Sequence, residues 1–350
     1  MQRQKLRVGV VGLGGIGHDQ HLPGWAKVPY ADVTAIADLS QDKLAHAAAR
    51  VPDAKWYADW RELVEADDLD IVDICTPNRT HTEIALAALK RGKHVLCEKP
   101  LATTSAEVRQ LQCAAKRSGR VLMTAQHLRF DPVALQLKRL VKDGTVGEVY
   151  YARAQWLRRR FVPTRPTFIE RRLSGGGPAF DIGVHVVDLA YWFMGAPKPV
   201  SVTATASAHL AHRTDITGSW GDWDRERFDV EDFAAGFVRF ANDAVLVLEA
   251  SWLLFQTEAE LIRLQCCGTR GGLVWPNGVI ASETDRIPWD KELREKAGTP
   301  PHQEAIREFA HAVHDDLPSP VPVEETLCVI RILEGLYRSA ETKGEVRLDE

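Results

Sequence analysis

The sequence predicts an α/β chain: a doubly wound parallel sheet first, then an α+β domain with a large open-faced, mainly antiparallel sheet. Three observations carry this. An unbroken β-favouring run, Leu6 to Val11, is followed at once by Gly12-Leu13-Gly14-Gly15-Ile16-Gly17. Short apolar runs then alternate with amphipathic stretches as far as Ala125. After Arg129 the texture changes to strand-like runs separated by turn residues. Apolar strands separated by helices point to a parallel sheet covered on both faces, the pattern of a Rossmann domain.

The elements follow in order. A second strand is expected over 33–37, ending at Asp38, with a helix over 41–50. Further strands are expected over 70–75, 94–97 and 121–125, with helices over 82–90 and 105–116. In the second half strands are expected over 148–156, 200–207, 232–240, 245–252 and 261–267. Asn242-Asp243 joins two of these as an antiparallel hairpin. Helices over 179–193, 302–313 and 324–339 and a C-terminal strand complete the reading. The expected division is 1–126 for dinucleotide binding and 127–350 for substrate binding and oligomerisation.

Composition excludes several classes. The chain has 350 residues, with 44 Lys+Arg against 48 Asp+Glu and a formal charge of −4. That balance lacks the basic footprint of a nucleic-acid binder. Hydrophobic residues make up 45% and charged residues 26%, as in an ordinary globular protein. No apolar run approaches the roughly 20 residues of a membrane helix. The N-terminus shows no signal-peptide pattern. Six cysteines lie scattered without a C-x-x-C, so no disulfide framework is indicated and a reduced cytoplasm is the expected location.

Four motifs carry chemistry. In Gly12-x-Gly14-x-x-Gly17 the glycines suit a tight turn, backbone approach to a pyrophosphate, and close helix–strand contact. The helix opening near Gly15 and Ile16 offers free N–H groups to phosphates. Asp38, at the end of the next strand, suits a ribose 2′-hydroxyl and repels a 2′-phosphate, which favours NAD over NADP. Its plainer reading is a helix N-cap. Lys99, in Cys97-Glu98-Lys99-Pro100, follows a strand whose C-terminus opens into a ligand crevice; a snorkelling surface lysine is the alternative. Asp181 and His185 lie four apart on one helix face after Gly175-Gly176-Gly177, which would allow close approach to a ligand. His185 suits proton exchange near neutral pH, with Asp181 orienting it, although such pairs are also common on helix surfaces.

Together GLGGIG, the segment 76–102 containing EKP, and SGGGPAFDIGVHVVDLAYWFMG (174–195) resemble the Gfo/Idh/MocA family of sugar and polyol oxidoreductases. The resemblance spans essentially the whole chain. It implies a Rossmann domain, a C-terminal sheet that commonly forms the dimer interface, and a cis Lys99–Pro100 peptide. It implies hydride transfer between NAD and a secondary hydroxyl or ketone, with Lys99, Asp181 and His185 at the reacting carbon and His185 as general acid/base. Gly12, Gly14, Gly15, Ile16, Gly17, Asp38, Thr76, Pro77, Asn78, His81, Glu98, Lys99 and Gln126 would line the cofactor. His127, Arg129, Trp156, Arg158 and Arg165 would meet a sugar, polyol or sugar-derived substrate, in a homodimer or homotetramer. An NAD-dependent glycosidase that oxidises its sugar transiently, or a non-catalytic dinucleotide sensor, are the other classes open.

One segment departs from the bare pattern. Arg153, Arg158, Arg159, Arg160, Arg165, Arg171 and Arg172 surround a single acid, Glu170. Either one or two of these arginines, foremost Arg158 or Arg165, contact substrate oxygens or an anionic group, or the cluster pairs with Asp222, Asp224, Glu226, Asp229, Glu231 and Asp232. His18, His21, His209 and His212 form no set at zinc spacing, so no metal is expected. Trp252 and Tyr191 are expected in the core.

Overall fold

The computed structural model describes residues 5–294 and 297–348. It divides into two compact units, 1–130 with 299–327, and 131–298 with 328–350. Among the described residues no helix is long and apolar enough to cross a membrane.

The first unit holds six parallel strands: β1 (Leu6–Val11), β2 (Ala31–Ala37), β3 (Lys55–Tyr57), β4 (Ile71–Ile74), β5 (His94–Cys97) and β6 (Leu122–Thr124). Their order, β3-β2-β1-β4-β5-β6, reverses direction on either side of β1. The carboxyl ends of β1, β2 and β4 therefore open onto a crevice where dinucleotides bind in such folds. Val8, Val10, Ile71, Ile74 and Leu96 are fully buried, as strands covered on both faces require. Local signals end the helices cleanly. Ser40 caps Gln41–Ala48, and Thr104 with Glu107 forms a capping box on Ser105–Ser118. β3 was not expected; its three residues are too short and too exposed to show a period.

The division differs from the expected one at its C-terminal side. The helix Pro301–His314 returns to the first unit because Ala305, Ile306, Phe309, Ala310 and Val313 form one apolar stripe. That stripe joins the core cluster of Leu13, Leu22 and Trp25, with the Trp25 and Phe309 rings edge to face at 6.3 Å. The helix Val323–Thr342 begins in the first unit and ends in the second.

The second unit is built on a nine-stranded sheet. Its strands are β7 (Val149–Arg158), β8 (Pro199–Ser207), β9 (Phe233–Phe240), β10 (Val245–Ser251), β11 (Glu260–Gly268), β12 (Gly271–Trp275), β13 (Val279–Thr284), β14 (Ile287–Glu292) and β15 (Val346–Arg347). The order is β14-β13-β12-β11-β7-β10-β9-β8-β15, antiparallel except for the β7–β10 pair. The expected hairpin is present between β9 and β10, with Asp243 at φ +61° in its turn. On β7, β9, β10 and β11 alternate residues are buried (Ala152, Ala154, Val238, Leu246, Leu248, Leu264), as one covered face dictates. The meander β12–β14 went unforeseen, because β14 is exposed along most of its length and carries little alternation.

Candidate active site

The first unit gathers its site at the carboxyl edge of the sheet. Gly12 has φ +94°, and a Cβ there would lie 2.6 Å from the Cys75 carbonyl oxygen. A Cβ on Gly17 would overlap the carbonyl of Gly12, which lets the helix start lie against the strand. A Cβ on Gly14 would meet nothing within 4 Å, so the middle of the turn is open to a phosphate. Asp38 accepts from the backbone N–H groups of Leu13 (2.8 Å) and Ser40 (2.9 Å). The helix cap belongs to Ser40, so Asp38 keeps lone pairs for a ribose hydroxyl. Lys43, five positions on in sequence, stands with Nζ 3.6 Å from Asp38 Oδ2 and softens the local negative charge. These residues fit the adenosine and pyrophosphate of a dinucleotide.

The nicotinamide side of the edge is built from the loops after β4, β5 and β6. Thr76, Pro77 and Asn78 lead into the helix Asn78–Lys90. His81 is fully buried, its Nδ1 2.8 Å from the Pro100 carbonyl oxygen and its Nε2 2.8 Å from that of Thr76. It ties two loops together rather than presenting its ring to a ligand, and burial lowers its pKa. The Lys99–Pro100 peptide is cis. Gln126 is buried just past β6. His127 stacks on His302 at 3.8 Å between ring centroids. Burial, with His302 adding to it, holds His127 down at about 3; burial likewise holds His302 at about 4. Both rings are neutral at pH 7. Arg129, expected at the substrate, is instead 2% exposed and ion-paired with Glu325, so its charge is spent inside the unit.

Beneath these loops lies a network that the sequence did not reveal. His21 Nδ1 is 2.8 Å from Asp73 Oδ2, and its Nε2 is 3.0 Å from Glu98 Oε1. Trp25 Nε1 donates to the same Asp73 oxygen at 2.7 Å, and the Lys99 N–H donates to Glu98 Oε2 at 3.1 Å. Burial alone would lower the His21 pKa, but Asp73 outweighs it and the imidazolium is favoured. Burial pushes Glu98 up, and the His21 contact overrides that, leaving Glu98 at about 2. Ligand atoms of His21, Asp73 and Cys75 lie within 4.8 Å of one another. Burial pushes the Cys75 thiol up to about 12, so the cluster behaves as a hydrogen-bonded ion pair with a neutral thiol beside it.

The second unit carries the proton-transfer candidates. A helix starting at Pro178 runs as a π-turn over Ala179–Gly183 and continues as Val184–Phe193. Asp181 and His185 lie on it. Single π-turns of this kind recur at functional sites. Asp181 Oδ2 accepts from Trp252 Nε1 at 3.1 Å, and the His185 ring packs 5.7 Å from Trp156. Both line a cavity of about 510 Å³ with Trp156, Arg158, Arg165 and Trp220.

Two expectations about this unit are corrected. The glycines before the helix do not bare the backbone for a ligand. A Cβ on Gly176 would overlap the Tyr337 hydroxyl, and one on Gly177 the Glu231 carbonyl. Buried Glu231 accepts from the Gly177 (2.9 Å) and Ala179 (3.1 Å) N–H groups and from Tyr337 (2.7 Å). The glycines thus let the helix start pack on a buried carboxyl, and burial raises its pKa. Nor do the arginines chiefly seek the acids at 222–232. Arg153 pairs with Glu249, Arg158 with Glu260, Arg172 with Glu170, and Arg171 with Glu341. Among the described residues, Asp229 is the expected acid that meets the cluster, through the Arg171 N–H. Arg165 is exposed on the cavity wall.

Replacing His21 with Gln removes the cation between two buried carboxylates. We expect a loss of about 3–5 kcal/mol in chemical unfolding, the usual result of breaking a buried pair. The sign with pH is definite. Stability carried by Glu98 is present above its unfolded value of 4.5 and is lost as the pH falls towards about 2. Stability carried by His21 is present below its unfolded value of 6.5 and is lost as the pH rises through its raised folded value.

Comparison with known proteins agrees with this geometry. Residues 6–126 match the oxidoreductase family with an NAD-binding Rossmann fold, and residues 134–274 match the GFO/IDH/MocA C-terminal domain. The chain is 30% identical to D-glucoside 3-dehydrogenase of Escherichia coli (strain K12), over 99% of each chain. It is 31% identical to levoglucosan dehydrogenase of Pseudarthrobacter phenanthrenivorans, over 78% of this chain and 74% of that one. A solved structure of levoglucosan dehydrogenase with NADH and levoglucosan shares the fold, with a TM-score of 0.87 at 24% identity over 99% of this chain and 100% of that one. The chain belongs to the Gfo/Idh/MocA family of NAD-binding oxidoreductases.

Proposed function

We propose that the protein oxidises a secondary ring hydroxyl of a glucoside-like sugar, reversibly, with NAD. The carrying observation is that Asp181 and His185 line one cavity, with Asp181 fixed by Trp252 and His185 packed on Trp156. The full-length similarity to D-glucoside 3-dehydrogenase supports a sugar over other alcohols. NAD, when bound, takes up the hydride that leaves the carbon. His185 takes the hydroxyl proton on its imidazole and returns it in the reverse direction. Asp181, held by the indole N–H, orients the substrate or His185. Lys99 donates a hydrogen bond to the reacting oxygen and stabilises its developing negative charge. Glu98, anchored by His21, fixes the backbone from which Lys99 projects.

The second unit's sheet supports self-association. Ala235, Phe237, Val245 and Val247 stay partly exposed on the face opposite the buried one. A partly apolar open sheet face of this kind suits a second copy of the chain.

Three outcomes test these readings. Replacing His185 with Ala lowers kcat for glucoside oxidation by about 10²–10⁴-fold while the NAD dissociation constant stays within about twofold; unchanged turnover removes His185 from the chemistry. Replacing Asp38 with Ala weakens NAD and narrows its advantage over NADP, measured as the ratio of kcat/KM; a wild type that prefers NADP overturns the role of Asp38. Sedimentation equilibrium gives a dimer or tetramer that Phe237→Glu shifts towards monomer; a wild-type monomer refutes the interface.

A further inference from the structure

The cavity beside His185 is larger than the chemistry needs. Its volume of about 510 Å³ lies within the roughly 300–1,000 Å³ of pockets that hold drug-sized ligands, larger than a single sugar ring. Asp181 and His185 account for one part of its wall. Another part is a row of flat groups: His185 to Trp156 at 5.7 Å, Trp156 to the Arg158 guanidinium at 5.5 Å, and Arg158 to Trp220 at 5.0 Å. The polar edges of this row are already pinned. Glu260 accepts from Trp156 Nε1 at 2.8 Å and from Arg158 Nε at 2.6 Å.

The pinning has two consequences. Glu260 neutralises Arg158, so that arginine is not there to capture an anion. It also fixes the indole and the guanidinium in place, so a ring that stacks on them meets a preorganised surface. Trp220 completes the wall while remaining 52% exposed, an unusual state for the largest side chain. Phe161 packs against its ring at 5.2 Å and holds it at the cavity. The part of the indole left exposed between these neighbours offers apolar surface on which a ligand ring can pack.

We propose that Trp156, Arg158 and Trp220 form a subsite for a second, uncharged ring joined to the oxidised sugar, an aryl aglycone or another pyranose. The substrate class is then glycosides rather than free monosaccharides. Arg165, exposed on the same wall, supplies donors for the ring or bridging oxygens. This assignment rests on the sugar-hydroxyl reading above.

The test follows NADH production with phenyl glucoside, cellobiose and methyl glucoside, both anomers of the first and last being used. In the wild type kcat/KM for phenyl glucoside or cellobiose exceeds that for methyl glucoside of like configuration by about tenfold, what one stacked ring contributes. Trp220→Ala collapses that ratio towards one, and Trp220→Phe, which keeps a ring, restores most of it. Because Trp220 is half-exposed, neither change empties the core. A wild-type ratio near one, or a ratio that Trp220→Ala leaves intact, overturns the subsite while sugar oxidation stands. No NADH from any of these sugars overturns the sugar-hydroxyl reading and the subsite with it.

Discussion

The first unit depends on one buried positive charge. His21 sits between Asp73 and Glu98, all three nearly free of solvent contact. An imidazolium in such a place costs several kcal/mol in lost hydration unless its partners are fixed. The three residues come from the helix after β1, from β4 and from the end of β5, so satisfying the charge fixes those elements against one another. Glu98 then holds the N–H of Lys99, and the cis peptide that follows is gripped by His81 through the Pro100 carbonyl. Burial, more than the charge of the network, keeps the nearby His127 and His302 neutral. The carboxyl edge of the sheet thus carries one imidazolium, His21, and three neutral rings, His81, His127 and His302, each set by its surroundings.

The second unit uses buried carboxylates in the same way, with backbone N–H groups as partners. Glu231 holds the start of the helix that carries Asp181 and His185. Asp232, the next residue, accepts from the N–H groups of His209, Leu210 and Ala211 and closes the loop that follows β8. The two consecutive acids, just ahead of β9, thus anchor two different segments. The acidic stretch at 222–232 is therefore mainly a set of backbone anchors, and the arginine-rich stretch finds its counter-charges elsewhere.

What the sequence made legible follows from how local each signal is. The glycine turn, Asp38 at the end of β2 and the capped helices are decided within a few residues, and each was readable there. The parallel, doubly wound character of the first sheet followed from the alternation of apolar strands with amphipathic helices, but not its strand order or the edge strand β3. His21 was passed over because its partners stand 52 and 77 residues away. The role of Gly176 and Gly177 was misassigned for the same reason: a glycine run reads equally as ligand approach or as close packing, and Tyr337 and Glu231 decide it. That Arg158 pairs with Glu260, 102 residues beyond it, could not be read locally either. The return of Pro301–His314 to the first unit was hidden because an apolar stripe says that a helix is covered, not by what.

Trp156 is where the chemistry and the recognition meet in the second unit. One neighbour is the His185 ring, the other the Arg158 guanidinium, and its indole N–H is held by Glu260. The ring therefore cannot turn without disturbing both. In the proposed subsite a ligand ring on the wall would touch the same indole that packs on His185, so recognition and the proposed proton acceptor would share one side chain. Remote binding of this kind raises turnover only when the intervening contact is stiff. Glu260, which accepts from the Trp156 indole and from Arg158 together, is the contact that would hold that ring in place.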